Sequence, residues 1–217
     1  MEIKYIKNIW PHLRKIQTHR KWVKHYCFAL GLYKQGWLHD LSKYSPAEFW
    51  ESVKYYQGDS SPIDAAKKDK SYSMAWFHHR GRNYHHYEMW QDDFDHGGKP
   101  LIMPYKYFAE MVCDYLAAGR AYNGVNFRFS KELAWWEQKR VACAMPERQI
   151  VALDYIFAAL ADHEANFMSD GVHGTKVVDE IFVNGYGRDL IYNAYHQFIN
   201  MPEDEFEKTW RRPECRD

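Results

Sequence analysis

Apolar and polar positions recur with the period of a helix along most of the chain. Ile16, His19, Val23, Tyr26 and Leu30 follow one another at steps of three and four, which predicts a helix over about residues 11–35 with one apolar face. Gly31 to Gly36 reads as a short break, and a helix carrying His39 and Asp40 is expected after it. Ser45-Pro46-Ala47-Glu48 has the form of a capping box with proline at the first helical position. It predicts a helix through Phe49, Trp50 and Val53 that ends near Gly58, and Ser61-Pro62-Ile63-Asp64 repeats the start signal more weakly. A short helix from Tyr72 to His79 should stop at Gly81, and Asn83 should cap another that holds His85 and His86. Residues 91–103 read as a polar loop. Pro104 then opens a helix to about Tyr122, closed by Asn123-Gly124, with Tyr107, Met111, Asp114 and Ala118 on one face. Pro146 opens a long helix to about Asn166 whose apolar face is Ile150, Leu153, Phe157 and Leu160. Amphipathic helices fit 174–184 and 186–200, and Met201 leads into a last short helix and a charged tail. No stretch alternates convincingly with period two, so the expected fold class is all-α.

Composition narrows the picture. A chain of 217 residues with 46% hydrophobic and 18% aromatic content can bury a substantial core, as one domain or as one domain with an appended helical lobe. Lys+Arg and Asp+Glu balance at 29 each, which argues against a dedicated nucleic-acid or anionic-membrane binder. Cys27, Cys113, Cys143 and Cys215 are widely spaced and form no CxxC pair, so free thiols in a reducing cytosol are expected. The N-terminus lacks the apolar core of a signal peptide, and no apolar run reaches transmembrane length. A cytoplasmic protein follows as the expectation. Of twelve histidines, four fall within residues 78–86, and histidine is the commonest protein metal ligand.

Three segments carry the candidate chemistry. Trp37-Leu-His-Asp-Leu-Ser-Lys43 sets an imidazole beside a carboxylate, with a lysine three residues on. His78-His79-Arg-Gly-Arg-Asn-Tyr-His85-His86 is the second. Asp114 is the third: an ionised carboxylate on a buried face is costly unless paired or bound to a cation. A salt bridge to an arginine is the plain alternative there. His19 alone on an apolar stripe is more often a hydrogen-bonded core residue than a ligand. If helix continues through 39–43, Lys43 shares the side of His39 and Asp40 and could meet an anionic group such as phosphate. Arg80 and Arg82 could do the same, against the plain reading of surface charge. Asp162-His163-Glu164 is consecutive and reads as a solvated face.

His19, then His39-Asp40, then Asp114 resembles the H…HD…D pattern of the HD-domain superfamily, and Leu38-His-Asp-Leu-Ser-Lys43 is similar to its LHDIGK form. His85-His86 resembles the extra histidines of binuclear branches. More closely, GWLHDLSKYSPAEF, YSMAWFHHRGRNYHHYEMW and MPYKYFAEMVCDYLAA resemble an uncharacterised bacterial and phage family, domain of unknown function 5662, over about residues 17–125. The superfamily resemblance implies an HD-like helical bundle over 1–125; residues 126–217, which it does not cover, are expected as a helical extension packed on it. It implies His19, His39, Asp40 and Asp114 as ligands of one ion and one residue from each histidine pair for a second. His79 and His86 are the expected members. One or two divalent transition ions (Mn, Fe, Co, Ni or Zn) would be held. The implied activity is phosphohydrolysis of a small phosphorylated or nucleotide-type substrate, with Asp40 and Lys43 in catalytic roles and Lys43, Arg80 and Arg82 binding the anion. The spacing of 20 residues between His19 and His39 is nearer the branch resembling myo-inositol oxygenase, so a non-haem diiron oxygenase is the alternative. A non-catalytic protein with a structural metal site is the second alternative. A small anionic molecule is the expected partner, and a homo-oligomer is compatible with the sequence.

Overall fold

In a computed structural model the described residues are 3–93, 95, 97–169 and 175–210, without the side chains of 167–169 and 175–178. Among them the chain is all-α. The helices are α1 (Ile9–Ala29), α2 (Tyr33–Leu38), α3 (Pro46–Tyr55), α4 (Pro62–Lys70), α5 (Met74–Arg80), α6 (Tyr105–Asn123), α7 (Phe129–Lys139), α8 (Glu147–Ser169), α9 (Thr175–Val183), α10 (Tyr186–Asn200) and α11 (Glu203–Thr209). The extended contact seen is an isolated bridge between Gln91 and Pro100 in the 91–103 loop. None of the described helices is long and apolar enough to cross a membrane. Cys27, Cys113 and Cys143 form no disulfide, while Cys215 and the charged tail lie outside the described residues.

The most extensive helix contact is between α1 and α6. The predicted stripe of α1 is buried from Ile16 to Leu30, and α6 is buried on most of its circumference, from Phe108 to Arg120. These two helices carry His19 and Asp114. On their other side α7, α8 and α10 pack together, with Ile150, Leu153, Phe157 and Leu160 fully inside. One continuous apolar core runs from Val23 of α1 to Phe206 of α11. The C-terminal helices also hold the entry to α6. Gln149 donates to the Met103 carbonyl at 2.8 Å and accepts from its N–H at 3.1 Å, and Tyr195 Oη donates to the same carbonyl at 2.8 Å. Arg120 ties α6 to α9 through Asp179 at 2.6 Å and to α1 through Tyr26 Oη at 3.2 Å.

Several local expectations differ from the structure: α1 ends at Ala29, and the expected break from Gly31 to Gly36 holds most of α2, Tyr33–Leu38. His39 and Asp40 are not helical: α2 ends at Leu38, and a 3-10 turn covers Leu41–Tyr44. Ser45 makes no side-chain cap, and the Glu48 carboxylate, which would supply the other half of the box, is taken by His78 and His79. Asn83 caps no helix. It donates to the His79 carbonyl at 2.7 Å and to Ser42 Oγ at 2.9 Å, and His85 and His86 lie in a turn before the 3-10 turn Tyr87–Met89. Glu164 is buried rather than solvated and accepts from the Ser130 N–H at the start of α7.

Glu132 gives a stability prediction. It is 5% exposed and packs on α6 where Gly119 leaves room, since a Cβ at Gly119 would fall 1.9 Å from Glu132 Oε1. Burial pushes its carboxyl up to about 8. The folded state therefore holds this proton where the unfolded chain releases it, and stability falls as pH rises from the ordinary glutamate value toward 8. Glu132→Gln should gain about 2–4 kcal/mol over the parent at pH 9 and little at pH 4, on roughly 1.4 kcal/mol per pH unit discounted for relaxation. Urea melts at the two pH values check this; equal gains at both would refute it.

Candidate metal centre

α1 presents His19, and its neighbour Arg20 fixes the segment that brings His39 alongside. Arg20 donates from Nη2 to the Trp37 carbonyl at 2.9 Å and from Nε to the His39 carbonyl at 2.8 Å. Gly36 allows α2 to lie close to α1, because a Cβ there would meet Phe28 at 3.0 Å and Cys27 at 3.1 Å. Asp40 then takes a left-handed backbone, φ 54°, which turns its carboxylate inward and buries it completely. α3 positions α5 through two acids. Glu51 accepts from Ser73 Oγ at 2.5 Å and from the N–H groups of Met74 and Ala75 at the α5 N-terminus, where negative charge is favoured. Glu48 accepts from His78 Nδ1 at 2.6 Å and His79 Nδ1 at 2.8 Å.

These elements bring two donor groups together around one carboxylate. His19, His39, Asp40 and Asp114 form the first, and Asp40, His79, His85 and His86 the second, each with donor atoms within 4.8 Å of one another. In the first group, His19 Nε2 lies 2.9 Å from Asp114 Oδ1 and 3.4 Å from Asp40 Oδ2. His39 Nε2 lies 3.3 Å from Asp114 Oδ1, 3.2 Å from Asp40 Oδ2 and 3.4 Å from His19 Nε2. Ligands ~2.1 Å from an ion stand about 3.0–3.4 Å apart in octahedral or tetrahedral geometry, so the spacing fits. In the second group Asp40 Oδ1 lies 3.3 Å from His79 Nε2 and 3.6 Å from His85 Nε2. Both Asp40 oxygens and the Nε2 atoms of His85 and His86 are buried without a regular hydrogen bond, although Lys43 Nζ ion-pairs with Asp40 Oδ2. Orphaned buried donors and acceptors cost about 1–3 kcal/mol each. Cations shared through Asp40 would satisfy them.

The chain matches a family model described as Family of unknown function (DUF5662) over residues 8–157. It belongs to that family. The match takes in both donor groups and runs past α6 into α8, further than the motifs at 17–125. No curated protein and no solved structure matches the chain.

The electrostatics of this DUF5662 chain fit a cation-binding centre. Burial alone would raise the Asp40 carboxyl, but His39, Lys43 and His79 outweigh it and hold it well below the ordinary value. Asp114 is also held down, as hydrogen bonds from His19 and His39 overcome burial. His86 is pushed well below its ordinary value by burial and then by His85 and His79, which leaves the neutral imidazole that ligates.

Glu110 is a further member of the site, outside the H…HD…D pattern. It lies one helical turn before Asp114 on α6, and that spacing was its signal. It is 6% exposed, and its Oε1 lies 2.9 Å from His39 Nδ1 and 3.3 Å from His85 Nδ1. Each of these rings directs its other nitrogen, Nε2, at Asp40. Glu48 acts on His79 in the same way. His85, which was not among the expected ligands, joins His79 and His86 in the second group.

A cavity of about 230 Å³ opens against the centre, touching His19, His79, His86, Asp114 and Lys43. Arg80 and Arg82 do not line it. Arg80 lies over the Phe77 ring at 5.1 Å, and Arg82 lines a separate pocket with Lys34, Lys106, His39, His85 and Glu110. Lys43 reaches Asp40 from the 3-10 turn, not from an α-helix.

Proposed function

We propose that the protein is an HD-type metal-dependent phosphohydrolase of a small phosphorylated substrate. The observation that carries the reading is the placement of Asp40, one carboxylate facing two donor groups, with Lys43 beside it at the cavity. The donor order His19, His39-Asp40, Asp114 agrees with the HD pattern. Bound divalent transition ions would acidify a water and offset the charge of the reacting phosphate. Lys43 keeps its ammonium charge, because Asp40 and Asp114 outweigh the effect of burial, and it can orient a phosphate oxygen over the centre. Glu110 and Glu48 hold the rings of His39, His85 and His79 with Nε2 directed inward. The cavity gives a substrate access to ligands of both groups, which favours an open, catalytic centre over a closed structural one.

The test is metal analysis of the purified protein, followed by a screen of phosphate esters with manganese, cobalt, nickel and iron. Turnover that depends on one of these metals is expected, and its absence with every ester in the fully loaded protein overturns the reading. Lys43→Met should keep the metal content and lower kcat/KM by about 100-fold or more, as expected for loss of a charge that stabilises the transition state. Unchanged kinetics would remove Lys43 from this role. The histidine-rich donor set, with a single carboxylate shared between groups, also favours a diiron oxygenase as second reading. A Mössbauer spectrum of coupled ferric ions in the iron-loaded protein, with no turnover of phosphate esters, would select it.

A further inference from the structure

The cavity has two unlike walls. One is the centre itself with Lys43. The other is apolar, built by Ile16 of α1, Ile63 of α4, Trp76 of α5, and Ala118 and Tyr122 of α6. Charge is scarce on this second wall. Lys15 lines the cavity, but its ammonium already donates to the Ala121 carbonyl at 3.1 Å and lies 4.6 Å over the Tyr122 ring. Glu48 is held by His78 and His79. The uncharged polar groups that remain are His12, Ser52, Ser61 and the polar tips of Trp76 and Tyr122.

Each feature restricts what can enter. A single anionic group can be met by the centre and Lys43. A second or third phosphate lying along Ile63 and Trp76 would have Lys15, already engaged by the Ala121 carbonyl and the Tyr122 ring, as the lining cation to meet it, and a poorly paired charge on this wall is costly. A polyhydroxylated body would strand hydroxyls against the same side chains, each losing a hydrogen bond that water supplies. Size acts in the same direction. An apolar cavity of ~150 Å³ admits benzene, so about 230 Å³ suits one ring with a tetrahedral head.

We propose that the cavity takes a monophosphate ester whose alcohol part is compact, mainly apolar and of about single-ring size. Its phosphate lies at Lys43 and the donor groups, and its body lies against Trp76, Ile63 and Tyr122. The proposal rests on the phosphohydrolase reading and narrows it, setting aside nucleotides and sugar phosphates.

Two measurements on the metal-loaded full chain separate this proposal from the reading beneath it. Calorimetric titration with phenylphosphonate and methylphosphonate, which are not hydrolysed, reads the apolar wall alone. Phenylphosphonate should bind at least about tenfold tighter, by the apolar area it buries. Trp76→Ala should abolish that preference while methylphosphonate binding persists. Ile63→Asn, at a half-buried position, should reduce it and serves if the tryptophan variant does not fold. Equal affinity of the two phosphonates, or no binding of either, overturns the proposal. Turnover is then compared for benzyl phosphate (whose leaving group is an alkoxide like those of the sugars), glycerol phosphate, glucose 6-phosphate and adenosine triphosphate. A higher kcat/KM for benzyl phosphate by about tenfold or more supports it, and a higher value for any of the others overturns it. If phenylphosphonate is preferred but no ester is turned over, the phosphohydrolase reading fails, and the substrate assignment built on it falls as well.

Discussion

Asp40→Asn should leave a folded protein that has lost metal at both donor groups. Asparagine keeps the volume of the side chain and accepts a left-handed backbone, which alanine adopts at a cost of about 1–2 kcal/mol. What it removes is the charge and one acceptor oxygen. Oδ2 serves His19 and His39, and Oδ1 serves His79 and His85, so neither half retains an anionic ligand from this position. Outer hydrogen-bond partners of metal ligands are worth about 10–100-fold in affinity, and a shared direct ligand should exceed that. Metal per chain after desalting is one readout. The other is melting with and without added metal: the parent should gain about 2.7 kcal/mol at a metal concentration of ~100 Kd, and the variant nothing. A variant that retains a full equivalent at one group would refute the sharing of Asp40.

Glu110→Ala should weaken both groups by about 10–100-fold each, although it contributes no direct ligand to either four-residue set. One oxygen receives the Nδ1 hydrogens of His39 and His85, which belong to different groups, and so fixes the tautomer that frees Nε2 in both. Glu48→Ala is the control, since Glu48 contacts His79 among the donors and should weaken the second group alone. Titration with Mn(II) followed by paramagnetic resonance distinguishes them: two weakened classes of site for Glu110→Ala, one for Glu48→Ala. If Glu110→Ala leaves either group at parental affinity, the coupling through its carboxylate is wrong.

Most of the helices were legible because their periodicity is local, although α7, Phe129–Lys139, was not among those expected. The stripe Ile16-His19-Val23-Tyr26-Leu30 is the buried face of α1, and Ile150-Leu153-Phe157-Leu160 that of α8. Gathering His19, His39, Asp40 and Asp114 was legible from their order, since α1 and α6 are long amphipathic elements that pack on each other. What escaped depended on distant partners. Ser45-Pro46-Ala47-Glu48 has the spacing of a capping box, yet two imidazoles 30 and 31 residues away take the carboxylate. Asn83 has the composition of a cap, but its amide goes to His79 and Ser42. Nothing local marks Asp40 as left-handed, because a glycine would announce that conformation and an aspartate does not. Glu164 looked solvated because the N–H of Ser130 that it accepts from lies 34 residues earlier.

The two donor groups stand on foundations of different firmness. His19 and Asp114 project from long helices whose contact is apolar core. His79, His85 and His86 sit on a seven-residue helix and the turn after it, anchored mainly by two glutamates of α3. Loading should therefore be sequential. The first ion would enter the group seated on α1 and α6 with His39 and Asp40, while a second would bind against the shorter elements of α5 and the turn after it. Hydrogen exchange should then slow in two stages during a metal titration, with amides around α5 the last to gain protection.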